Sequence, residues 1–174
     1  MKMIGRVVLI VLVLLLVFGL SRSKAQLFMF GNSQEGKPAA DFTLSTLTQK
    51  AVTMSAYRGN APAILFFWAT WCPHCREALH DLNARASEIQ AQGVKIVIVD
   101  VGEDRAQVKN YVDAHGITLE VFLDEDSLVA GDYMIVGVPT FLLINKDGII
   151  KSVTHVLPQD YQTILTATAG QGNS

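Results

Sequence analysis

The run Ala63-Ile64-Leu65-Phe66-Phe67-Trp68 contains no polar residue, and Val94 to Val101 is interrupted only by Lys95 and Asp100. A strand with one wet face alternates apolar and polar residues, whereas a strand covered on both faces reads as a block. Two such blocks demand a sheet with helices on both sides. The segments around them fit that demand. Asp41 to Leu44 and Ala51 to Met54 alternate around a polar turn and predict a small N-terminal hairpin. Cys72 to about Gln92 reads as a helix ended by Gly93, and Asp104 to His115 as a second ended by Gly116. Leu119 to Leu123 predicts a short strand and Leu128 to Tyr133 a weak helix. Thr140 to Asn145 and Ile149 to Val156 predict two strands joined by the turn Lys146-Asp147-Gly148, and Gln159 to Ala169 a closing helix. The fold class is therefore α/β, a central mixed sheet flanked by helices.

The 174 residues have room for one such domain and a leader. Met1 to Arg6 is short and basic, and Val7 to Leu20 is an uncharged run of 14 residues. That length suits a signal-peptide core, while a membrane span wants about 20 residues. Ser23-Lys24-Ala25 offers a small-x-small cleavage site. Counting from Ile4, with Arg6 snorkelling, residues 4–20 can instead form a membrane anchor. Residues 1–25 are thus read as signal peptide or anchor, 26–37 as linker, 38–169 as the domain and 170–174 as a tail. Either leader places the domain outside the cytoplasm. Removing the four basic residues of the leader leaves 10 positive and 16 negative charges, a formal −6. A nucleic-acid partner is not expected, because phosphate binding needs a basic face.

The chain has two cysteines, Cys72 and Cys75, in Trp71-Cys72-Pro73-His74-Cys75. A disulfide closing so small a loop restrains the unfolded chain very little, so close spacing suits a bond that opens and closes. Cys72 follows a buried strand and starts a helix, where unpaired N–H groups and the helix dipole favour a thiolate. Cys75, one turn on, can attack a mixed disulfide formed at Cys72. Pro73 fits the first helical turn. His74 can lend positive charge or a hydrogen bond near the Cys72 sulfur. No metal is expected. One Cys-x-x-Cys supplies two zinc ligands, and haem attachment needs a histidine where Arg76 stands. Asp124-Glu125-Asp126 lacks the spacing and glycine of a calcium loop. His115 and His155 are read as structural, and Glu103 and Asp104 as the start of a helix.

Phe67-Trp68-Ala69-Thr70-Trp71-Cys72-Pro73-His74-Cys75-Arg76-Glu77, followed by Val97 to Glu103 and by Gly137-Val138-Pro139-Thr140-Phe141, resembles the TlpA/ResA-like thioredoxins, which are membrane-tethered. The likeness runs over residues 38–168. It implies a thioredoxin-like fold with a family insertion opening near Val97, and thiol–disulfide exchange outside the cytoplasm. Protein thiols or disulfides are the implied substrates, with a membrane redox partner and often a role in cytochrome c maturation. The only redox group is the Cys72–Cys75 disulfide itself. Val138-Pro139 matches the family's cis-proline, whose preceding backbone groups can pair with an extended substrate. Trp71 is read as an apolar lip for substrate and Trp68 as core.

Three departures bear on mechanism. Many relatives carry a Glu three residues after the second cysteine, where this chain has Ala78; Glu77 lies about 100° around the helix. Thioredoxin keeps a buried Asp six residues before the first cysteine, and here that residue is Phe66. A helix-kinking proline is replaced by His80. No side chain then stands out as the base for Cys75, with His80 or a water as substitutes. The Pro-His dipeptide is that of the oxidant DsbA, while the scaffold resembles reductases, prototypes about 150 mV apart. An intermediate-to-oxidising potential is expected. The alternative function is a copper chaperone of thioredoxin fold, but those use wider cysteine spacing and a distal histidine, and Pro139 offers no ligand. A peroxidase would need Thr-x-x-Cys, and Thr70 is two residues before Cys72.

Overall fold

The computed structural model describes residues 34–167. The leader of residues 1–25, most of the linker and the tail of 170–174 lie outside the described residues. Among the described residues no helix is long and apolar enough to cross a membrane.

The strands are β1 (Thr43–Thr46), β2 (Ala51–Thr53), β3 (Ala63–Trp68), β4 (Lys95–Val101), β5 (Val121–Asp124), β6 (Thr140–Ile144) and β7 (Ile150–Thr154). They form one sheet in the order β2-β1-β5-β4-β3-β6-β7. The apolar blocks β3 and β4 lie at its centre and pair in parallel, Ala63 opposite Lys95 and Trp68 opposite Asp100. β5 continues the parallel set, and β1, β2, β6 and β7 complete it antiparallel. This is the mixed sheet the apolar blocks required.

Helices α1 (Met54–Arg58), α2 (Pro73–Ala84), α3 (Ala86–Ala91), α4 (Arg105–Ala114), α5 (Leu128–Asp132) and α6 (Tyr161–Thr166) cover both faces. Alternation along β3 and β4 divides the core into two layers. Ile64, Phe66, Trp68, Ile96 and Ile98 pack with Cys75, Leu79, Ile89, Val108 and Tyr161. Leu65, Phe67, Val97 and Val99 pack on the opposite side with Phe42, Met54, Val129 and Tyr133. Phe66, standing where thioredoxin has its aspartate, stacks on Phe141 with ring centroids 4.3 Å apart.

Three local expectations change. The helix expected over 72–92 is two helices, because the backbone leaves helical angles at Arg85 (φ −94°, ψ 1°). The break keeps Leu79 and Leu82 on one side of it, and Ala86 and Ile89 on the other, in the same core layer over a twisted sheet. Helix α1 was not anticipated; the Asp41 carboxylate accepts the Ser55 backbone N–H at 2.9 Å and its hydroxyl at 2.5 Å, which organises its first turn. Residues 34–39, read mainly as linker, are tied down. Gly36 N–H donates to Ile150 O at 2.7 Å and Ile150 N–H to Lys37 O at 2.9 Å. They occupy the outer edge of β7, whose backbone groups would otherwise be left unpaired. The turn after β6 is as expected, with Gly148 at φ 80° where a side chain is disfavoured.

Candidate active site

β3 delivers the chain to the turn Ala69-Thr70-Trp71, and α2 begins immediately after Cys72. Cys72 is the N-cap residue, with extended angles (φ −88°, ψ 112°), and its Sγ accepts the Cys75 backbone N–H at 3.3 Å. The sulfur takes the place that a serine or aspartate oxygen holds at an ordinary cap. Negative charge developed there faces the unpaired N–H groups of the first turn. Pro73 sits at the start of the helix, where its missing N–H costs nothing.

The two sulfurs are unequal. Both are free thiols; Cys72 retains 6% exposure and Cys75 has none. Burial first, then the hydrogen bond with Cys72, pushes the Cys75 thiol up to about 12. Above them, the Val138–Pro139 bond is cis, and the Cys72 thiol donates to Val138 O at 3.5 Å. The far side of that loop is held by His155, whose Nδ1 lies 2.7 Å from Pro139 O, and by Thr140 Oγ1 donating to Gly137 O at 2.7 Å. Val138, Pro139, Cys72 and Cys75 are therefore brought together.

Trp71 stands 67% exposed beside Cys72, while Trp68 is wholly buried with its ring 5.6 Å from Tyr111. A groove of about 400 Å³ opens beside α2, lined by His74, Glu77, Pro139, Phe141, His155 and Leu157 among others. His74 does not turn to Cys72. Its Nδ1 lies 3.7 Å from the Glu77 carboxylate, with both side chains exposed. Such a surface pair is worth little. His80 is also exposed, its ring 5.6 Å from that of His115, so it does not stand beside the buried Cys75.

Two carboxylates escaped the sequence reading. Glu103, expected merely to begin a helix, is buried and points back at the cysteine turn. Its carboxylate accepts the Thr70 backbone N–H at 2.5 Å and the Thr70 hydroxyl at 2.6 Å, with the Gln107 amide as a further donor. Asp104 is the true N-cap of α4, accepting the Gln107 N–H at 2.9 Å. Charge-assisted bonds of this kind contribute about 1.5–3 kcal/mol each. Thr70→Val, which removes one of them and strips a donor from a buried anion, should lower unfolding free energy by about 2 kcal/mol in urea titrations. Asp100, at the end of β4, is fully buried with no donor in hydrogen-bond geometry on either carboxylate oxygen. Burial, then the adjoining Glu103, pushes it up to about 9. The signal for both was an acid interrupting or ending an apolar strand, where an ionised side chain is costly unless satisfied. Among the described residues no group of three or more His, Cys, Asp or Glu side chains is arranged to hold a metal ion.

Comparison with known proteins places the chain in a family. The AhpC/TSA family matches residues 36–153. The thiol-disulfide oxidoreductase ResA of Bacillus subtilis (strain 168) is 31% identical over 161 residues, covering 90% of this chain and 89% of that protein. ResA of Geobacillus thermodenitrificans (strain NG80-2) is 34% identical over 118 residues, 68% of this chain and 67% of the relative. Among solved structures, a thiol:disulfide interchange protein of the thioredoxin family from Chlorobium tepidum TLS superposes with a TM-score of 0.63 at 29% identity. It covers 75% of this chain and 94% of that one.

Proposed function

This chain belongs to the AhpC/TSA family and is a thiol-disulfide oxidoreductase of the ResA type, and on that footing we propose that it exchanges disulfides with protein substrates outside the cytoplasm through Cys72 and Cys75. The observation that carries this is the inequality of the two sulfurs: one caps a helix at the surface, and the other lies one turn deeper, sealed from water.

The chemistry follows from that inequality. The Cys72 thiolate attacks one sulfur of a substrate disulfide; a Cys72–substrate bond forms, and the second substrate sulfur leaves as thiolate. Cys75 loses its proton and attacks Cys72 Sγ. The Cys72–Cys75 bond forms, the remaining substrate sulfur leaves, and two electrons have passed to the substrate. Run in reverse, the same steps oxidise a substrate dithiol. No cofactor beyond the cysteine pair is needed. The Val138 carbonyl beside Cys72 and the cis-proline loop supply backbone against which an extended substrate can lie, and Trp71 supplies an apolar lip.

Export follows from the leader of residues 1–25. An exported dithiol is cut off from the cytoplasmic thiol pool, so electrons must arrive through, or leave to, another protein; a membrane-held redox partner fits that need. Cytochrome c maturation is the pathway the family resemblance implies. With His74 turned toward Glu77, the oxidising lean rests on the helix terminus, and titration against glutathione should give a potential above the ~−270 mV of thioredoxin.

The test is direct. The reduced protein should reduce insulin disulfides while gaining an internal Cys72–Cys75 bond detectable by mass, and the oxidised protein should oxidise a dithiol peptide. Absence of exchange in both directions would overturn the reading. Trp71→Ala should leave reaction with small thiols unchanged and lower kcat/KM for a protein substrate by about tenfold, through KM. That is the loss of roughly 1.4 kcal/mol of apolar contact. An equal loss with both substrates would move Trp71 from the substrate lip to the support of Cys72.

A further inference from the structure

We propose that Asp100 gives a proton to the Cys75 sulfur when the Cys72–Cys75 bond opens and takes it back when the bond forms, with Glu103 connecting Asp100 to the surface. The inference rests on the exchange reading above and adds a residue to it.

Placement comes first. Asp100 is the register partner of Trp68, the last residue of β3. Alternation along β4 puts it on the same face as Ile96 and Ile98, the layer that contains Cys72, Cys75 and Leu79. The backbone of Ala69, the residue that follows Trp68, lies near enough to Cys75 to lower its pKa. Carboxyl and thiol therefore lie beneath the same turn, close enough for the Asp100 charge to act on Cys75.

Second, Asp100 is buried with few donors around it. Asp124, a comparable buried acid on β5, accepts the Val129 N–H at 3.1 Å and the Ala130 N–H at 2.7 Å and so organises α5. Neither Asp100 oxygen has a donor in good hydrogen-bond geometry, the nearest being the Glu103 backbone N–H. Its polar neighbour is Glu103, itself an acceptor, so the two bind each other only when one carries a proton. Glu103 already accepts three donors from Thr70 and Gln107, whereas burial holds the proton on Asp100. At neutral pH the acid beneath Cys75 is thus loaded.

Third, a path out exists. Asp100 meets Glu103, Glu103 meets Gln107, and Gln107 is exposed on α4. The titratable groups facing Asp100 are Glu103 on its own segment, Asp124 from β5 and Cys75 from α2, with Tyr111 of α4 reaching the layer through Trp68.

The step balances. A substrate thiolate attacks Cys72 Sγ, the Cys72–Cys75 bond breaks, and its electron pair goes to Cys75 Sγ. That sulfur takes the Asp100 proton, and the Asp100 carboxylate is reloaded from solvent by way of Glu103. Closing the disulfide runs the same transfers backwards.

The experiment is stopped-flow reduction of the oxidised full chain by a small dithiol, from acid to alkaline pH, for the parent, Asp100→Asn and Asp100→Leu. After correction for the thiolate fraction of the dithiol, the parent rate should fall as pH rises through about 9. Both variants should lose that limb and, near neutral pH, run on the order of 100-fold slower, with the solvent isotope effect of the parent abolished. If Asn misfolds in the core, the apolar Leu variant carries the test. Folded variants with the parent's rate, or a uniformly lower rate with the parent's pH profile and isotope effect, would overturn the proposal. A parent that does not exchange at all would instead sink the functional reading.

Discussion

Cys75→Ala should turn the protein from a catalyst into a trap, accumulating covalent complexes with its substrates, whereas Cys72→Ala should accumulate none and lower insulin reduction by about a thousandfold or more. The geometry makes the asymmetry steep. With its thiol pushed up to about 12, Cys75 has about one part in 10⁵ as thiolate at pH 7, and no part of it is exposed. It can act only on a sulfur already delivered to Cys72, one helical turn away. Cys72 alone meets the solvent, and alone caps the helix. In the reduced parent at neutral pH, an alkylating reagent should therefore label Cys72 and leave Cys75 untouched. Non-reducing electrophoresis with mass spectrometry reads both results. Equal labelling of the two cysteines, or complexes captured through Cys75, would contradict the assignment of attacking and resolving roles.

The parts legible in the sequence were those written in residues close together in the chain. A short apolar block bounded by turns suits a strand covered on both faces, so the central position of β3 and β4 is written in their residues. The junction Trp68-to-Cys75 carried its own chemistry, because strand end, helix start and cysteine spacing fall within eight residues. The cis-proline loop was found only by resemblance; nothing in residues 137–141 announces that they return to Cys72. What was not legible depended on long-range pairing. Asp100 reads as one polar letter in an apolar strand, and only the parallel register with β3 brings it beneath the cysteine turn. Glu103 looks like a helix-start residue because negative charge is favoured there, yet its neighbour Asp104 takes the cap and frees Glu103 to clamp Thr70. Adjacency in sequence points His74 at the Cys72 sulfur. On a helix, adjacent residues point about 100° apart, and its ring fell to Glu77 instead.

Stability of the parent should decline relative to Asp100→Asn by about 1.4 kcal/mol per pH unit as pH rises from the ordinary carboxylate range toward 9. The sign follows from proton counting. In the folded protein Asp100 holds its proton up to about 9, whereas in the unfolded chain it releases it near 3.8. Between those values the folded state binds the extra proton, so raising pH favours unfolding; below 3.8 both states are protonated and the cost vanishes. By pH 7 the cumulative loss is about 4 kcal/mol, a large share of what a domain of this size has to spare. Cys75, also raised, adds its own loss only above the ordinary thiol range. Denaturant midpoints for parent and variant across pH should converge in acid and separate steadily in base, and parallel curves would show that Asp100 ionises freely when folded. A buried acid that weakens the fold at neutral pH, and whose removal should strengthen the fold while slowing disulfide opening, serves chemistry rather than packing.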